Sequence, residues 1–432
     1  MKTITIPYGK KKITLKIPAP FKCRTLNIKS LTPIRNFKSA LNKALNNPIE
    51  NEPFKNLCDS HDHVAIIMPD KTRRGYFPPI LDVILKRLAA CGIPRNHITI
   101  LIARGSHFPH TAKELKELVG INIYRKFRII DHDCRNNDEL SYLGETSFGT
   151  DVRINSEILK ADKIITCGVI QYHYFAGFSG GRKLIVPGCA AYDTIMANHR
   201  LVLNTEPAKG KNPNATLGRL SGNPVHEDII EAVYMLRVKG KKIFSIDLVL
   251  NDKRKVAKIF CGDIIKAHEK GCQFLEKTYS IPITKPADLI IASTGGFPSD
   301  INFIQSHKTL EHASKGLKEN GILFAFAECL EGIGSDAFLP WFKYKTAYEL
   351  EEALRKDFVV NGHTALALFI KANKYQVYFY SSLTPETIKH IHLNPVKDPQ
   401  NTLNRILKSL PPKANILFIP QGFNLLPKVV NK

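Results

Sequence analysis

The spacing of hydrophobic and polar positions changes along the chain and predicts its elements. Residues 3–17 alternate apolar and polar side chains on either side of Tyr8-Gly9-Lys10, a spacing typical of a β-hairpin. Short apolar runs bounded by turn residues follow at 63–70, 97–105, 127–133 and 163–170. Stretches with helical spacing separate them, at 78–92 and 111–120. This alternation predicts parallel strands whose crossover helices cover both faces of a sheet.

The second half of the chain repeats this alternation after a proline-rich passage at 279–289. Before that passage, 224–239 and 263–277 are predicted helices around a strand at 242–250. After it, apolar runs predict strands at 287–294, 321–329 and 375–381. Helical spacing recurs at 306–319, 347–356, 363–373 and 384–392. A last strand, 414–420, either closes this second sheet or returns the chain to the first domain.

These patterns predict an α/β protein with two Rossmann-like domains, each a parallel sheet flanked by helices. The proline-rich passage places the first domain at 1–282 and the second at 283–412, with a strand and tail at 413–432. The length of 432 residues agrees, because one hydrophobic core rarely organises a chain of that size.

Composition changes this picture little. Hydrophobic residues make up 44% of the chain, as in ordinary globular proteins. The first residues show no continuous apolar stretch of the signal-peptide kind, and no segment reaches the roughly 18 apolar residues of a membrane span. We therefore expect a cytoplasmic protein without membrane contact. The nine cysteines have no paired spacings, which favours buried thiols over a disulfide framework or a zinc knuckle.

The formal net charge of +23 has two interpretations. Lysines on solvated faces explain it without any partner. An anionic partner, either a nucleic acid or small carboxylates and phosphates, is the alternative. The basic runs at 10–12 and 239–242 are short and accompany no nucleic-acid-binding signature, so the sequence disfavours a nucleic acid.

Polar side chains follow three of the predicted strands of the first domain. Asp70, Thr72 and Arg73 come after the first strand, His107 after the second and His173 after the strand that ends at 170. Ligands of open parallel sheets bind beyond the carboxyl ends of the strands. The sequence therefore predicts that a carboxylate, an arginine and two histidines meet at one crevice.

The segment 175–183, Phe-Ala-Gly-Phe-Ser-Gly-Gly-Arg-Lys, is the most specific local signal. Glycines before a helix expose backbone N–H groups and favour a phosphate, which points to Ser179, Gly180 and Gly181. The segment is not a P-loop, because Arg182 and Leu184 stand where that motif needs other residues. Lys183 is a phosphate contact or, with neighbouring cations lowering its pKa, a point of covalent attachment.

Each of these features also has an ordinary structural interpretation. A loop histidine such as His107 or His173 more often caps or hydrogen-bonds its loop, and Gly180-Gly181 alone usually makes a tight turn. His61 and His63 have a metal-like spacing but no further ligands nearby. Convergence on one edge of the sheet is what favours a functional site.

Several strings of this chain resemble the nickel-dependent lactate racemases, in the same order and with similar separations. They are Asp70-x-Thr72-Arg73, Gly-x-His-x-x-x-Thr at 105–111, His-Tyr-Phe-Ala-Gly-x-Ser-Gly-Gly-Arg-Lys at 173–183, Ala197-Asn198-His199 and Gln305-x-x-Lys308. The resemblance extends over nearly the whole chain.

The resemblance implies a cofactor and a role for each matching residue. Lys183 would bind covalently to a nickel-pincer nucleotide, a pyridinium-3,5-bisthiocarboxylic acid mononucleotide that carries nickel, and His199 would be the protein ligand to the nickel. His107 and His173 would be the general acid and base on opposite sides of the substrate. The residues that would line the nucleotide and the crevice are Asp70, Thr72, Arg73, Ser179, Gly180 and Gly181.

The second domain would complete the site. Gln305 and Lys308 would hold the substrate carboxylate, together with Arg73, and the active site would lie in the cleft between the domains. The partners implied are a small 2-hydroxycarboxylate and the enzymes that synthesise the pincer nucleotide.

The chemistry of the substrate favours hydride transfer independently of the resemblance. The C–H bond beside the hydroxyl of a 2-hydroxycarboxylate is too weakly acidic for a histidine, because the carbanion would adjoin an ionised carboxylate. If a histidine instead takes the hydroxyl proton while the carbon delivers hydride, the intermediate is a planar 2-oxo acid. Two histidines suit a reaction that runs in both directions.

The substrate pocket departs from the family pattern. Many lactate racemases have a tyrosine before the glutamine, where this chain has Ile304, and a late tryptophan where it has Gly362-His363-Thr364. Its tryptophan, Trp341, lies in another context. A larger 2-hydroxy acid or a sugar acid is therefore an alternative substrate. Alternatives of other classes are a zinc hydrolase, disfavoured by the missing HExxH, and a basic anion- or nucleic-acid-binding protein without catalysis.

Overall fold

Two six-stranded sheets organise the chain, each within its own compact unit. The computed structural model describes residues 1–28, 30–72 and 77–430. The N unit comprises Ser30–Val202 and Pro213–Glu276. The C unit comprises Met1–Lys29, Leu203–Asn212 and Lys277–Lys432.

The strands and helices follow one another in an α/β order. The strands are β1 (Lys2–Tyr8), β2 (Lys11–Ile17), β3 (Cys23–Thr25), β4 (Val64–Pro69), β5 (Ile98–Ala103), β6 (Arg128–Asp131), β7 (Leu140–Glu145), β8 (Asp151–Asn155), β9 (Lys163–Val169), β10 (Tyr172–His173), β11 (Gly177–Phe178), β12 (Lys242–Leu250), β13 (Val256–Asp263), β14 (Ser280–Ile283), β15 (Ala287–Ser293), β16 (Leu317–Phe326), β17 (Gln376–Tyr380), β18 (Asn394–Pro395), β19 (Ile416–Ile419) and β20 (Leu426–Val429). The helices are α1 (Phe37–Asn46), α2 (Phe77–Ala90), α3 (Ala112–Val119), α4 (Ile121–Lys126), α5 (Ser156–Lys160), α6 (Arg182–Ile185), α7 (Tyr192–Arg200), α8 (Pro224–Val238), α9 (Lys266–Tyr279), α10 (Phe303–Ser314), α11 (Ala347–Lys356), α12 (Val360–Lys374), α13 (Pro385–His390) and α14 (Pro399–Ser409).

The sheet of the N unit has the order β13-β12-β9-β4-β5-β6. All of its neighbouring strands are parallel except β13, which pairs antiparallel with β12 at the edge. Every residue of β4 and β9 is buried, because helices cover both faces of the sheet. Ile66 packs into the core that includes α1 and α2, whereas Ile67 packs into the core that includes α6 and α8. The predicted doubly covered parallel sheet is confirmed.

The sheet of the C unit has the order β18-β17-β16-β15-β19-β3, and all of its pairs are parallel. Strand β19 lies between β15 and β3, so the last predicted strand closes the second sheet. Helix α10 begins at Phe303 rather than at 306, because Asn302 accepts a hydrogen bond from the backbone N–H of Gln305. Helix α14 was not predicted from the spacing.

The division into units differs from the predicted boundaries at 282 and 412. Residues 1–29 were predicted in the first domain, yet β3 pairs with β19 and the hairpin side chains Ile4 and Leu15 pack with Phe324 in the core of the C unit. The hairpin buries one face only, and that apolar face is covered by the C unit. Residues 413–432 likewise belong to the C unit. The short segment Leu203–Asn212 also belongs to it, although the chain before and after this segment belongs to the N unit.

Two observations bear on the expectations drawn from composition. Every cysteine except Cys91 is buried. Among the residues that the structure describes, no helix is both long and apolar enough to cross a membrane.

Buried histidines link the stability of the fold to pH. Burial is the largest cause that lowers the pKa of His226 to about 2, of His307 to about 3 and of His312 to about 4. An unfolded histidine titrates near roughly 6.5, so below that pH the unfolded chain binds protons that the folded chain does not. Asp247 and Asp228 act in the opposite sense, because burial raises the pKa of Asp247 to about 6 and also raises that of Asp228. They are outnumbered, because burial lowers the pKa of His199 and His268 as well.

We therefore expect the free energy of unfolding to decrease as the pH falls from about 6.5 to about 4.5. Each of the three histidines can contribute up to about 1.4 kcal/mol per pH unit in that window. Urea unfolding followed by circular dichroism at a series of pH values measures the change. A free energy of unfolding that stays constant or rises as the pH falls through this window would contradict the assignment of neutral buried imidazoles.

Candidate active site

The carboxyl ends of β4 and β5 bring Asp70 and His107 together. The two strands pair in parallel up to Pro69 and Ala103, so the residues that follow them are neighbours. His107 Nδ1 lies 2.6 Å from Asp70 Oδ2. The carboxylate is buried, with 3% of its surface exposed, whereas the imidazole side chain is 53% exposed. The predicted meeting of these two residues is confirmed.

Hydrogen bonds from neighbouring residues fix both members of the Asp70–His107 dyad. Thr72 donates to Asp70 Oδ1 from its hydroxyl at 2.7 Å and from its backbone N–H at 3.2 Å. Arg104 donates to the carbonyl of His107 at 2.6 Å, and Asp133 pairs with Arg104 at 3.2 Å. Because an ionised carboxylate only accepts hydrogen bonds, His107 carries its proton on Nδ1 and offers Nε2 to a ligand.

The sequence also predicted that Thr72 and Arg73, which follow Asp70, belong to the site. Thr72 was predicted to line the cofactor crevice, and its side chain orients Asp70. A role in binding the cofactor stays a prediction. Arg73 lies outside the described residues.

His173 lies in a short hairpin that begins directly after β9. Strands β10 and β11 pair antiparallel, with His173 opposite Gly177. The backbone N–H of Ala176 donates to His173 Nδ1 at 3.3 Å. The Phe175 ring packs edge-on against the imidazole, with 4.5 Å between ring centroids. The two histidines therefore use their Nδ1 atoms in opposite ways.

The glycine turn before α6 is anchored to the sheet. The N–H of Gly181 donates to Asp247 Oδ1 at 2.8 Å, and a Cβ at Gly181 would lie 2.4 Å from Ser245 Oγ. Ser179 donates from its hydroxyl to the carbonyl of Val169 at 2.7 Å. The predicted exposed N–H group of Gly181 therefore points into the protein, because the buried Asp247 needs a donor. Cofactor binding by Ser179, Gly180 and Gly181 stays a prediction.

Lys183 and His199 lie on one aromatic ring. Lys183 Nζ is 5.3 Å from the centroid of the Phe175 ring, and the His199 ring packs edge-on against the same ring at 5.0 Å. His199 is 7% exposed. Burial, and then the nearby Lys183 ammonium, lower the pKa of His199 to about 3. Lys183 and His199 are sixteen positions apart in the sequence, and the fold brings both into contact with the Phe175 ring.

This arrangement fits a nickel-bearing cofactor attached through a lysine. A metal binds the neutral form of histidine, which is the form that His199 keeps at physiological pH. Imidazole nitrogen is a suitable ligand for nickel, and a lysine amine is a suitable point of attachment. The described residues contain no cluster of three or more histidine, cysteine, aspartate or glutamate side chains placed to hold a metal ion.

Four polar residues beneath the turn were missed by the sequence analysis as part of the site. Arg182 is fully buried and donates to His226, and its guanidinium lies against His268. Asp247 is fully buried beside them. One signal was visible: Asp247 is a charged residue within a mostly apolar strand, β12, and a buried charge needs a specific partner.

Gln305 and Lys308 lie on one face of α10 in the C unit. Lys308 Nζ donates to Gln305 Oε1 at 2.8 Å, as their spacing of one helical turn allows. The ammonium also lies 5.1 Å from the centroid of the Phe423 ring. The structure therefore brings these two residues together, while their role as substrate contacts and the placement of the site between the domains stay predictions.

Comparison with known proteins gives one consistent family. Residues 8–210 match the model described as lactate racemase N-terminal domain, and residues 283–426 match the lactate racemase C-terminal domain. The lactate racemase of Thermoanaerobacterium thermosaccharolyticum is 30% identical over 99% of this chain and 99% of its own length. That of Lactiplantibacillus plantarum is 30% identical over 99% of this chain and all of its own.

A solved structure shows the same relationship in three dimensions. The lactate racemase apoprotein from Thermoanaerobacterium thermosaccharolyticum superposes with a TM-score of 0.88 at 30% identity. The match covers 99% of this chain and 100% of that one.

Proposed function

Because this chain belongs to the lactate racemase family of isomerases, we propose that it racemises a small 2-hydroxycarboxylate by hydride transfer to and from a nickel-pincer nucleotide bound to Lys183. Membership in a family of enzymes favours this function over a basic binding protein without catalysis. The observation that carries the proposal is the pair Lys183 and neutral His199, which both contact the Phe175 ring. When bound, the nucleotide supplies the hydride acceptor that no protein side chain provides.

His107 and His173 would move the hydroxyl proton. The Nδ1–H of His107 is fixed on Asp70, so Nε2 is free to take a proton from the substrate hydroxyl, and the carboxylate stabilises the imidazolium that results. His173 would return a proton to the oxygen from the opposite face of the planar 2-oxo acid, and in the reverse direction the two histidines would exchange these roles. Its ring is oriented by Ala176 N–H and by Phe175. Return of hydride to the other face then gives the mirror-image product.

Other residues would bind the substrate or orient the two histidines without taking part in proton transfer. Gln305 and Lys308, already paired on α10, would hold the substrate carboxylate, because a lysine ammonium and an amide N–H both donate to it. Arg73 would contribute a second cation. Asp70 orients His107, and the enzymes that synthesise the nucleotide would be the remaining partners.

Intact mass spectrometry and metal analysis of protein co-expressed with the cofactor-synthesis enzymes test the proposal. The expected wild-type protein carries a nucleotide adduct and nickel. His199→Ala should keep the adduct and lose most of the nickel, because anchor and ligand are different residues. A wild-type protein with activity but without adduct or nickel would refute the proposed cofactor.

Asp70→Asn is expected to lower kcat by about 10- to 100-fold in both directions, as removing a group that orients a functional imidazole does. The amide can donate to Nδ1, which would favour the wrong tautomer of His107. Thr72→Val, which removes one hydrogen bond to Asp70, should have a smaller effect in the same direction. Steady-state racemisation assays from each enantiomer measure both. Full activity of Asp70→Asn would show that the dyad has no role in the reaction.

A larger 2-hydroxy acid or sugar acid is the second candidate substrate. Ile304 stands before Gln305, and His363 is fully buried with its ring stacked on Phe358 at 5.7 Å. A Cβ at Gly362 would lie 2.7 Å from the Trp341 ring, so that indole packs directly on the same part of α12. A kcat/KM for a longer 2-hydroxy acid above that for lactate would select this candidate.

A further inference from the structure

The charged side chain of Arg182 is turned into the protein although the residue directly precedes Lys183. No part of it is exposed. Arg182 Nε donates to His226 Nδ1 at 2.8 Å, and Nη1 lies 2.7 Å from His268 Nε2. Burial lowers the pKa of Arg182, but only to about 10, so the guanidinium remains charged at neutral pH. A buried charge of this kind is retained only where its hydrogen bonds are made.

The same guanidinium binds the loop that follows His173. Nη2 donates to the carbonyls of Phe178 at 3.0 Å and Ala176 at 3.3 Å, and Nη1 donates to the carbonyl of Ser179 at 3.4 Å. Ala176 is also the residue whose N–H orients the His173 ring. Arg182 therefore connects the His173 hairpin to α6, the helix that carries Lys183.

The two histidines beside Arg182 are kept neutral by their surroundings. Burial, and then Arg182 itself and Lys183, lower the pKa of His226 to about 2. Burial and Arg182 also lower the pKa of His268 well below its ordinary value. Both imidazoles therefore remain uncharged beside the guanidinium at any pH where the enzyme would work.

We infer that Arg182 is a positioning residue that fixes His173 and Lys183 relative to each other through its hydrogen bonds to the 176–179 loop and to His226. The inference rests on the proposed roles of His173 and Lys183. A lysine at 182 cannot replace it, because an ammonium lacks the planar fork of five N–H donors that reaches several acceptors at once. Misplacing a catalytic group by about 1 Å can reduce the rate by about 100-fold.

Variants of Arg182 and of its partner His226 test the inference. Arg182→Lys removes the guanidinium, and His226→Leu removes the acceptor of its Nε–H, whereas His226→Asn keeps an acceptor near the position of Nδ1. Leu236→Ala is the matched control, because it truncates a buried side chain ten residues after His226 on the same helix and removes no hydrogen bond of the guanidinium. For each protein, the adduct fraction is measured by intact mass, the racemisation rate is divided by that fraction, and the melting temperature is recorded.

Arg182→Lys and His226→Leu are expected to lower the rate per adduct-bearing molecule by about 10-fold or more. His226→Asn should restore most of that rate, and Leu236→Ala should lower the melting temperature while leaving the rate per adduct near wild type. An unchanged rate per adduct in Arg182→Lys and His226→Leu would overturn the inference. A loss of rate per adduct in Leu236→Ala equal to that in Arg182→Lys would also overturn it.

A wild type without adduct would count against the proposed function rather than against this positioning role. In that case the rate at which an amine-acylating reagent modifies Lys183, followed by peptide mass spectrometry, decides the question. A changed rate in Arg182→Lys but not in Leu236→Ala supports the inference, and equal rates in all three proteins overturn it.

Discussion

Lys183→Ala is expected to abolish the covalent adduct and the racemase activity together. The amine of Lys183 is the proposed point of attachment, and it lies on the Phe175 ring that also contacts His199. Removing it leaves no nucleophile for attachment at this position, so activity should fall to the background of the assay. Intact mass and chiral chromatography of the product measure the two losses on the same sample.

Lys183→Arg separates attachment from charge. It keeps a cation beside His199 but replaces the amine by a guanidinium, which is a much poorer nucleophile because it stays protonated. We expect it to lose the adduct as Lys183→Ala does. Lys113→Ala, a lysine removed from the exposed start of α3, is the control that should change nothing. An active Lys183→Ala protein with normal nickel content would disprove covalent attachment at this residue.

His107→Ala and His173→Ala are each expected to lower kcat by at least about 100-fold, the lower end of what a general acid or base contributes. Each should do so from both enantiomers, since every turnover uses both groups. His107 is oriented by Asp70 and His173 by Ala176 N–H, so each ring has its own partner and its own orientation. Racemisation rates from each enantiomer, divided by the adduct fraction, measure the effect.

His110→Asn serves as the matched control for His107. His110 lies three residues further along the same loop, and its Nδ1 is 2.8 Å from Asp131 rather than from Asp70. Because His110 Nε2 also accepts from the backbone N–H of Lys71 at 3.2 Å, we expect some loss of rate per adduct, but a much smaller one than in His107→Ala. If His107→Ala or His173→Ala racemised either enantiomer as fast as the wild type does, the two-histidine mechanism would be wrong.

The parts of the site that the sequence predicted correctly depend on strand ends. Apolar runs marked β4 and β5, and parallel strands place the residues that follow them at one edge, which is why Asp70 and His107 meet. The two sheets were visible for the same reason: both are built of continuous apolar runs that only a doubly covered sheet buries.

What the sequence did not predict depends on long-range packing. The hairpin at 3–17 has one apolar face, and its pattern cannot indicate which of two cores covers that face. The sequence showed Arg182 only as a cation next to Lys183, with no indication that its side chain is buried. The direction of its side chain follows from contacts with residues far along the chain, His226 and His268, which no local pattern connects to it.

Retention of a deuterium label at C2 of the substrate tests the central claim most directly. The holoenzyme is given one enantiomer of the 2-hydroxy acid, deuterated at C2, in ordinary water, and the product enantiomer is analysed by mass spectrometry. A hydrogen that moves as hydride does not exchange with water, so we expect slower racemisation than with the unlabelled acid and a product that keeps most of its deuterium. Rapid loss of the label to water, with no 2-oxo acid detected after quenching, would contradict hydride transfer and indicate proton abstraction.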